Sequence, residues 1–353
     1  MVCRTVGWSF DGIYRLTGET VTNDPPGDNG SVSYSLDPVG NRLSQTSSLH
    51  NVPTVGFSYS ADDTLLGETY DGNGNVTATG GKTFSYDSQN ELISANGGAV
   101  TVMYDGSGNR VSKTANGVTT KYLVDEVNPT GYPQVFDELT GSTVTRTYTY
   151  GLQRISENQV IDNVWTPSFY GYDGFGTVRQ LTNTAGAVTD TFEYDAFGNA
   201  ITQTGTMPNN YLYRGEQYDP DLGLYYLRAR YYNPLSGRFM SRDPEDEDPT
   251  IPATLHKYIY AAGDPVNASD PMGSEVLITY TSFAQNRARA AIAFGVKSDI
   301  CLLHALNSIG SALTAPAEQQ GAGSDQNVGT QLGGCERNAI KGLLGILLSH
   351  VTP

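Results

Sequence analysis

The sequence has few of the residues on which disulfide frameworks, zinc sites and nucleic-acid contacts depend. Its three cysteines are too few and too scattered for a disulfide framework or a zinc knuckle, and a single Cys301–Cys335 bridge stays open as an alternative. Residues 1–273 carry 16 Lys or Arg against 32 Asp or Glu. Because phosphate contacts need a basic surface, this acidity argues against nucleic acid as a partner of residues 1–273.

Long apolar runs are also missing. No segment approaches the ~20 consecutive apolar residues that a membrane-spanning helix needs, so we expect no membrane span. The first ten residues, MVCRTVGWSF, lack an apolar centre long enough for a secretory signal peptide. The chain also has no Gly-rich phosphate loop, no HExxH and no GxSxG motif, and we predict no cofactor and no metal ion.

Two short motifs were weighed as metal or nucleophile sites. Asp71 opens a DGNGN run like that of a calcium loop, but Val76 and Lys82 stand where such a loop needs glycine and glutamate. A β-turn is the favoured interpretation. Cys301 and His304 lie one helical turn apart, with Cys335 and His350 downstream, yet the leucines around the first pair favour packing in an apolar core.

Glycine and tyrosine are abundant, with 40 and 23 residues respectively, and they occur in a repeat over residues 1–210. Each unit is a strand ending in Tyr-Asp, a Gly/Asn turn and a second strand, as in YDGNGNVTAT from Tyr70 and VMYDGSGNRVSKT from Val102. Alternation places Phe84 and Tyr86 on one face of their strand. Asn116-Gly117 is a hairpin signal. We predict one continuous, curved antiparallel sheet of stacked hairpins.

Residues 211–273 form the least random stretch of the chain. They hold nine of the 23 tyrosines, five of the seven Asp-Pro pairs, and five arginines within 29 positions. Tyrosine and arginine together suit a packed yet polar environment, because the rings bury area while guanidinium groups stack or pair with carboxylates. The pattern predicts short strands interrupted at the Asp-Pro turns.

The order of residues in this stretch, GxxYDxxxGLYYxRARYYxPxxGRFxSxDP, resembles the core region of the RHS/YD-repeat family. That family includes Rhs polymorphic toxins, Tc toxin C components and teneurin-like shells. The resemblance implies an all-β fold in which YD repeats wind into a hollow shell closed by the core. It divides the chain into a repeat sheet (1–210), a core region (211–273) and a variable C-terminal segment (274–353).

The last segment has a different composition. Tyr280 is its only tyrosine, its net charge is zero, and helices are predicted over 283–296, 298–313 and 338–351. In the resembled family this position holds chain-specific cargo. The resemblance therefore implies a secreted or cell-surface carrier in a bacterial toxin system, exported without a cleavable signal peptide in this chain. Its partners would be its own C-terminal segment, a secretion-system component and an immunity protein.

The family core is similar to an aspartic self-peptidase, and the resemblance assigns the catalytic pair to Asp243 and Asp270 with Arg242 beside them. Two close carboxylates can share a proton and act as acid and base on a peptide bond. The implied cut lies at or just after Gly273, at Gly273/Ser274. The sequence departs from the family where Asp243 is followed by Pro-Glu-Asp-Glu and where Ser274 replaces leucine.

Two alternatives stay open. The Asp-Pro pairs are also typical turn residues, in which aspartate bonds its own backbone and proline fixes φ. The second alternative is an extracellular structural or adhesive β-filament without catalytic activity, because open sheet edges on a short array favour self-association.

Overall fold

The structure, a computed structural model, describes residues 4–24, 27–245, 255–274 and 276–278. The predicted helices between positions 283 and 351, and the cysteines and histidines among them, lie outside the described residues. Within the described part almost all regular structure is β, which confirms the predicted all-β class. Three short 3₁₀ turns cover Asn96–Gly98, Tyr213–Gly215 and Tyr260–Gly263.

The strands follow in chain order: β1 (Thr5–Phe10), β2 (Leu16–Thr22), β3 (Gly30–Leu36), β4 (Arg42–Ser47), β5 (Val55–Gly56), β6 (Thr69–Tyr70), β7 (Val76–Thr79), β8 (Lys82–Tyr86), β9 (Leu92–Ala95), β10 (Val100–Tyr104), β11 (Arg110–Ala115), β12 (Val118–Asp125), β13 (Gln134–Thr140), β14 (Thr143–Tyr150), β15 (Arg154–Ile161), β16 (Val164–Tyr172), β17 (Val178–Thr182), β18 (Val188–Tyr194), β19 (Ala200–Thr204), β20 (Gln217–Asp219), β21 (Leu224–Leu227), β22 (Arg230–Asn233), β23 (Arg238–Phe239), β24 (Ala268–Ser269) and β25 (Leu277–Ile278).

Within each sheet the strands pair antiparallel with their neighbours in the chain, as a series of hairpins requires. Strands β1–β5 form an N-terminal sheet and β6–β19 form a long sheet of fourteen strands. Strands β20–β23 form a third sheet in the core region, and β24 pairs with β25. The stacked antiparallel hairpins predicted from the repeat are confirmed.

The sheet is not continuous, and here the prediction of one unbroken sheet was wrong. Residues 57–68 interrupt it, and in place of ladder strands they contain the isolated bridges Tyr59↔Leu65 and Leu66↔Glu68. Their backbone groups are used elsewhere. The Leu65 amide donates to the Tyr70 hydroxyl, and the Asp63 carbonyl accepts from Arg238. Backbone N–H and C=O groups engaged in these bonds are not available to hydrogen-bond a neighbouring strand.

The repeated Asp-x-x-Gly-Asn sequence is a turn closed by its own aspartate. Asp105 Oδ1 accepts the backbone amides of Ser107 at 2.9 Å and Asn109 at 3.0 Å, while Gly108 adopts φ +80°. The strand register shifts by one residue just before each such turn, as between Met103 and Tyr104. The same bonding recurs in the turns that begin at Asp37, Asp71, Asp173 and Asp195.

The asparagine at the end of a turn links it to the next one along the edge of the sheet. Asn75 Nδ2 donates to Asp71 Oδ2 in its own turn and to Asn90 Oδ1 in the next, each at 2.9 Å. Asn109 makes the corresponding bonds to Asp105 and Glu126. The predicted Asn116–Gly117 hairpin turn is also confirmed, with φ +53° and +75°.

The tyrosine-bearing face of the long sheet is the buried face. Phe84, Phe192 and Tyr194 are 4%, 2% and 3% exposed, whereas Thr83 and Ser85, on either side of Phe84, face solvent. This confirms the alternation predicted for these strands. The core region packs on the buried face, and its rings form one cluster with the sheet. Its members from the core region include Tyr213, Tyr225, Tyr232, Phe239 and Tyr260.

Charged groups hold the core region against this face. Arg110 on β11 donates from Nη1 to Asp219 Oδ2 at 3.2 Å, and Lys113 Nζ lies 2.6 Å from Asp219 Oδ1. The Arg110 guanidinium also stacks on the Tyr226 ring at 4.4 Å. The side chains of Arg110 and Asp219 are 2% and 1% exposed, so neither charge is compensated by water. Both buried charges are therefore stabilised by the ion pairs that they form.

The aspartate turn can be tested with two substitutions at one position. We expect Asp105→Ala to lower the free energy of unfolding by about 1 kcal/mol, since two backbone amides lose their acceptor. Asp105→Asn should cost much less, because Asn183 makes the same two bonds in the turn that ends at Ala187. Urea unfolding at pH 7 measures both values, and equal losses would contradict this role for the side chain.

The free energies of unfolding of the wild type and of the Asp105→Asn variant should also differ in their dependence on pH. Burial works to raise the pKa of Asp105, but the amides of Asn109 and Ser107 outweigh it and lower the pKa below its usual value. The contribution of the wild-type turn is therefore complete above the unfolded pKa and is lost as pH falls through the folded one. The Asp105→Asn variant should not show that loss.

Candidate functional site

The predicted catalytic aspartates lie close together because one arginine binds both. Arg230 on β22 donates from Nη2 to Asp243 Oδ2 at 2.8 Å, and the same nitrogen lies 3.4 Å from Asp270 Oδ2. Asp243 follows β23 and Asp270 follows β24, so two separate turns supply the carboxylates. The Arg230 side chain is 2% exposed. Its guanidinium also stacks over the Phe239 ring at 3.6 Å.

Arg242, predicted beside the pair, lines the same cleft as Asp243. Its side chain packs against Gly74, where an added Cβ would meet Arg242 Cδ at 2.4 Å. The position nearest to both carboxylates is occupied by Arg230, which sequence reasoning missed. A signal was present in the RARYY run, because an arginine in a buried, tyrosine-rich strand requires a buried carboxylate partner.

The peptide bond between Gly273 and Ser274 is held on both sides. Arg230 Nε donates to the Gly273 carbonyl oxygen. The Ser274 amide donates to Asp270 Oδ1 at 3.0 Å. The carbonyl carbon therefore faces a cation, and the amide nitrogen faces a carboxylate. This is the bond at which the sequence predicted the cut.

The turn formed by residues 270–274, here called the Asp270 turn, has the geometry of a repeat turn with one substitution. Oδ1 accepts the amide four residues on, as Asp71 does from Asn75. In the turns that begin at Asp37, Asp71, Asp105 and Asp195 the second carboxylate oxygen accepts from the asparagine side chain at that position, whereas in the Asp173 turn it accepts from Arg179. Ser274 replaces this asparagine, and Arg230 binds the second oxygen instead.

Neighbouring backbone clamps the Asp270 turn. The Ala229 amide donates to the Met272 carbonyl at 3.1 Å, and Arg228 Nη1 donates to the Pro271 carbonyl. Gly273 has φ +71°, and an added Cβ would lie 2.4 Å from the Leu227 carbonyl oxygen. The turn and the β21–β22 hairpin thus fit together only with glycine at this position.

The two aspartates differ in their access to water. The Asp270 side chain is 1% exposed, whereas the Asp243 side chain is 24% exposed and lines an open cleft of about 780 Å³. Asn73, Asn75 and Lys257 line the same cleft. Solvent therefore reaches Asp243 directly, while Asp270 is dry.

Burial lowers the pKa of Arg230 from its usual value, and the charges of Asp243 and Asp270 oppose that effect. Because an arginine keeps its proton in proteins, the group remains a cation in contact with both carboxylates. One positive charge therefore lies between two carboxylates.

Other charged clusters have structural explanations. Both carboxylate oxygens of Asp71 accept N–H groups of its own turn, so the calcium-like run forms a turn as interpreted. In the described residues, Asp24, Asp28 and Glu193 offer carboxylate oxygens within 4.8 Å of one another. A cation already lies there, since Arg4 Nη1 is 2.6 Å from Glu193 Oε2.

Stacked antiparallel hairpins with aspartate turns, covered on their tyrosine face by an arginine-rich core region, define a YD-repeat shell protein. The teneurin YD-shell family model matches residues 14–266, and the chain belongs to this family. The resemblance to RHS/YD-repeat proteins is thereby confirmed. Of the residues described, none forms a helix long and apolar enough to cross a membrane.

Two relatives, a nuclease and a toxin protein, are much longer than this chain. The chain is 31% identical over 268 residues to the tRNA nuclease WapA of Bacillus subtilis (strain 168), covering 72% of this chain and 11% of that protein. Over 131 residues it is 34% identical to toxin protein Tse5 of Pseudomonas aeruginosa, covering 35% and 9%. The chain thus spans about a tenth of the length of these curated relatives.

Among solved structures, the Photorhabdus luminescens Tc holotoxin pore with a TccC3 mutation is similar to this chain. The match has a TM-score of 0.44 and 16% sequence identity, and it covers 78% of this chain and 18% of that one.

Gly273→Ala should destabilise the protein more than the same change at a glycine with a similar φ and free space. Gly117, with φ +75° and no atom within 4 Å of an added Cβ, is the matched control. The left-handed conformation costs alanine about 1–2 kcal/mol at either site, and position 273 adds the clash with Leu227. Chemical unfolding of both variants gives the two costs, and equal costs would contradict the close fit.

Proposed function

We propose that this chain is the closing end of an RHS-type shell that carries its C-terminal segment and releases it by cutting itself at the Gly273–Ser274 bond. The observation that carries the proposal is the clamp on this bond, with Arg230 on the carbonyl and Asp270 on the amide. An aspartate turn needs no arginine on the carbonyl, as the repeat turns demonstrate. The additional contact is explained by chemistry at the bond.

The described part of the chain supports the role of a closure. The core region covers the inward, tyrosine-bearing face of the long sheet, so that face is filled by residues of the chain itself. Further repeats beyond the described strands would be needed to enclose a cargo. The names of two relatives, a tRNA nuclease and a toxin protein, favour a toxin as that cargo, delivered to other bacteria and matched by an immunity protein.

The proposed reaction is hydrolysis by two carboxyl groups. Asp243, open to the cleft, takes a proton from water as the water oxygen bonds to the Gly273 carbonyl carbon. Arg230 Nε stabilises the negative charge that develops on the carbonyl oxygen. Asp270, which begins protonated, gives its proton to the Ser274 nitrogen as the C–N bond breaks. The products are a carboxylic acid at Gly273 and a free amine at Ser274.

Residues that surround the pair bear on its activity. The Glu245 amide donates to Asp243 Oδ1, so the acidic residues that follow Asp243 begin within the turn that orients it. Glu245 lines the same cleft as Asp243, so its negative charge lies beside the pair. Arg242 and Lys257, on the wall of the same cleft, offset part of that charge.

A second candidate function is an extracellular structural or adhesive filament. The edge strand β1 favours it, because Trp8 and Phe10 are 38% and 37% exposed beside an unpaired ladder. Such an edge can pair with another chain. Sedimentation distinguishes the two candidates, since a carrier gives a defined small species and a filament gives heavy, concentration-dependent species.

Self-cleavage is tested by expressing the full chain and analysing it by denaturing gel and intact mass. We expect two fragments, with a new N-terminus at Ser274. Asp270→Asn and Asp243→Asn should each abolish the cut, and Arg230→Lys should slow it by about 10²-fold or more, since a preorganised donor on the carbonyl is lost.

Asp105→Asn is the matched control, because it alters an aspartate turn far from the bond and should leave cleavage unchanged. Circular dichroism confirms that each variant folds. A single intact wild-type chain would overturn the proposal. So would cleavage that persists in a folded Asp270→Asn variant.

A further inference from the structure

The fifth residue of an aspartate turn determines how the second carboxylate oxygen of its aspartate is bound. Four of the described turns end in asparagine, and the asparagine Nδ2 donates to the aspartate Oδ2 at 2.8–3.3 Å. These turns begin at Asp37, Asp71, Asp105 and Asp195. Each of them therefore binds both oxygens of its own aspartate.

Two other turns end in a different residue, and there an arginine binds the second oxygen. The Asp11 turn ends in Arg15, whose own Nε donates to Asp11 Oδ2 at 2.7 Å. The Asp173 turn ends in Thr177, and Arg179 Nε donates to Asp173 Oδ2 at 2.9 Å. A turn without a terminal asparagine thus leaves this oxygen open to another donor.

The Asp270 turn belongs to this second group. Its fifth residue, Ser274, donates its backbone amide to Asp270 Oδ1 as the repeat turns do. The serine side chain is one bond shorter than that of asparagine and carries no amide N–H. Arg230 Nη2 lies 3.4 Å from Asp270 Oδ2, and the same guanidinium binds Asp243 and the Gly273 carbonyl. The contact between Asp270 and the rest of the site is therefore made through the oxygen that asparagine binds elsewhere.

We propose that Ser274 is a positioning residue for self-cleavage, because a fifth side chain without an N–H donor leaves the second oxygen of Asp270 to Arg230. This inference rests on the proposed function and names the feature that separates a cleavable turn from a structural one. The serine hydroxyl itself is not required. Leucine, which stands at this position in the resembled family, meets the same condition, so the departure at Ser274 is compatible with cleavage.

An asparagine at position 274 would also change the proton balance of Asp270. Burial acts to raise the pKa of Asp71, but the Asn75 side chain and the turn amides outweigh it and lower that pKa. An N–H group on a carboxylate oxygen favours the ionised form. The same bond would hold Asp270 ionised, and an ionised Asp270 has no proton to give to the leaving nitrogen.

The other groups that face Asp270 stay the same when position 274 is changed. They are the Arg230 guanidinium from β22, with Asp243 bound to the same nitrogen, and the Tyr260 hydroxyl. A change in the pH dependence of cleavage therefore reports the group introduced at position 274.

The test compares Ser274→Asn with Ser274→Leu, because the two side chains have nearly the same shape and only asparagine carries an N–H donor. The full chain of each variant is followed by denaturing gel and intact mass. We expect Ser274→Leu and Ser274→Ala to be cut as the wild type is. Ser274→Asn should be cut about 10²-fold more slowly or less, since the proton donor is lost.

The pH profile distinguishes this role from a merely structural one. Cleavage of Ser274→Asn should recover as pH is lowered, because acid restores the proton on Asp270, and the wild type is measured over the same range. A substitution that only distorts the turn would slow the cut equally at every pH. That outcome, or cleavage of Ser274→Asn at the wild-type rate, would overturn the inference and leave self-cleavage standing.

A second measurement does not depend on cleavage. In an Asp243→Asn background, in which we expect an intact chain, Ser274→Asn should have a Tm a few degrees higher than Ser274→Leu. The turn then gains the side-chain bond that Asn75 makes to Asp71. A crystal structure should place the introduced amide within hydrogen-bond distance of Asp270 Oδ2. Equal Tm values with the amide turned away would overturn the inference even in a chain that never cuts itself.

Discussion

Buried arginine side chains join the core region to the repeat sheets, and the rest of the structure depends on these contacts. Arg110 binds Asp219 from the long sheet, and Arg42 of the N-terminal sheet donates to the Leu235 carbonyl. A guanidinium group suits this task because it can stack on a tyrosine ring and donate to a carboxylate or carbonyl at once. Hairpins alone would bury too little surface, and the core region supplies the missing layer.

The same chemistry organises the candidate cleavage site. Within the core region Arg230 binds Asp243, Asp270 and the Gly273 carbonyl, just as Arg110 on the long sheet binds Asp219 of the core region. The Asp270 turn positions the carboxylate through the Ser274 amide. The buried Arg230 guanidinium then binds the other carboxylate oxygen. The site thus uses parts that the repeat already contains. The Asp270 turn differs from an Asp-x-x-Gly-Asn turn at its fifth position, where Ser274 replaces the asparagine.

Features encoded by neighbouring residues could be predicted from the sequence, and features that depend on distant residues could not. The Asp-x-x-Gly-Asn turns and the face shared by Phe84 and Tyr86 follow from local bonding and alternation. The interruption at residues 57–68 depends on Arg238, far along the chain. Likewise the resemblance implies Arg242, the neighbour of Asp243 in sequence, as the arginine of the site. Arg230 lies 13 and 40 residues from its two carboxylates, and only the fold brings them together.

The central claim is that the core region is bound to the long sheet through buried charge pairs, and a double-mutant cycle on Arg110 and Asp219 tests it most directly. Asp219→Asn should lower the free energy of unfolding by roughly 3–5 kcal/mol, because it leaves the buried Arg110 without a carboxylate. Arg110→Met should cost less, because Asp219 keeps its ion pair with Lys113. The double variant should lose at least about 1 kcal/mol less than the two losses combined. Strictly additive losses would show that the two side chains do not interact, and would contradict this account of how the core region is held.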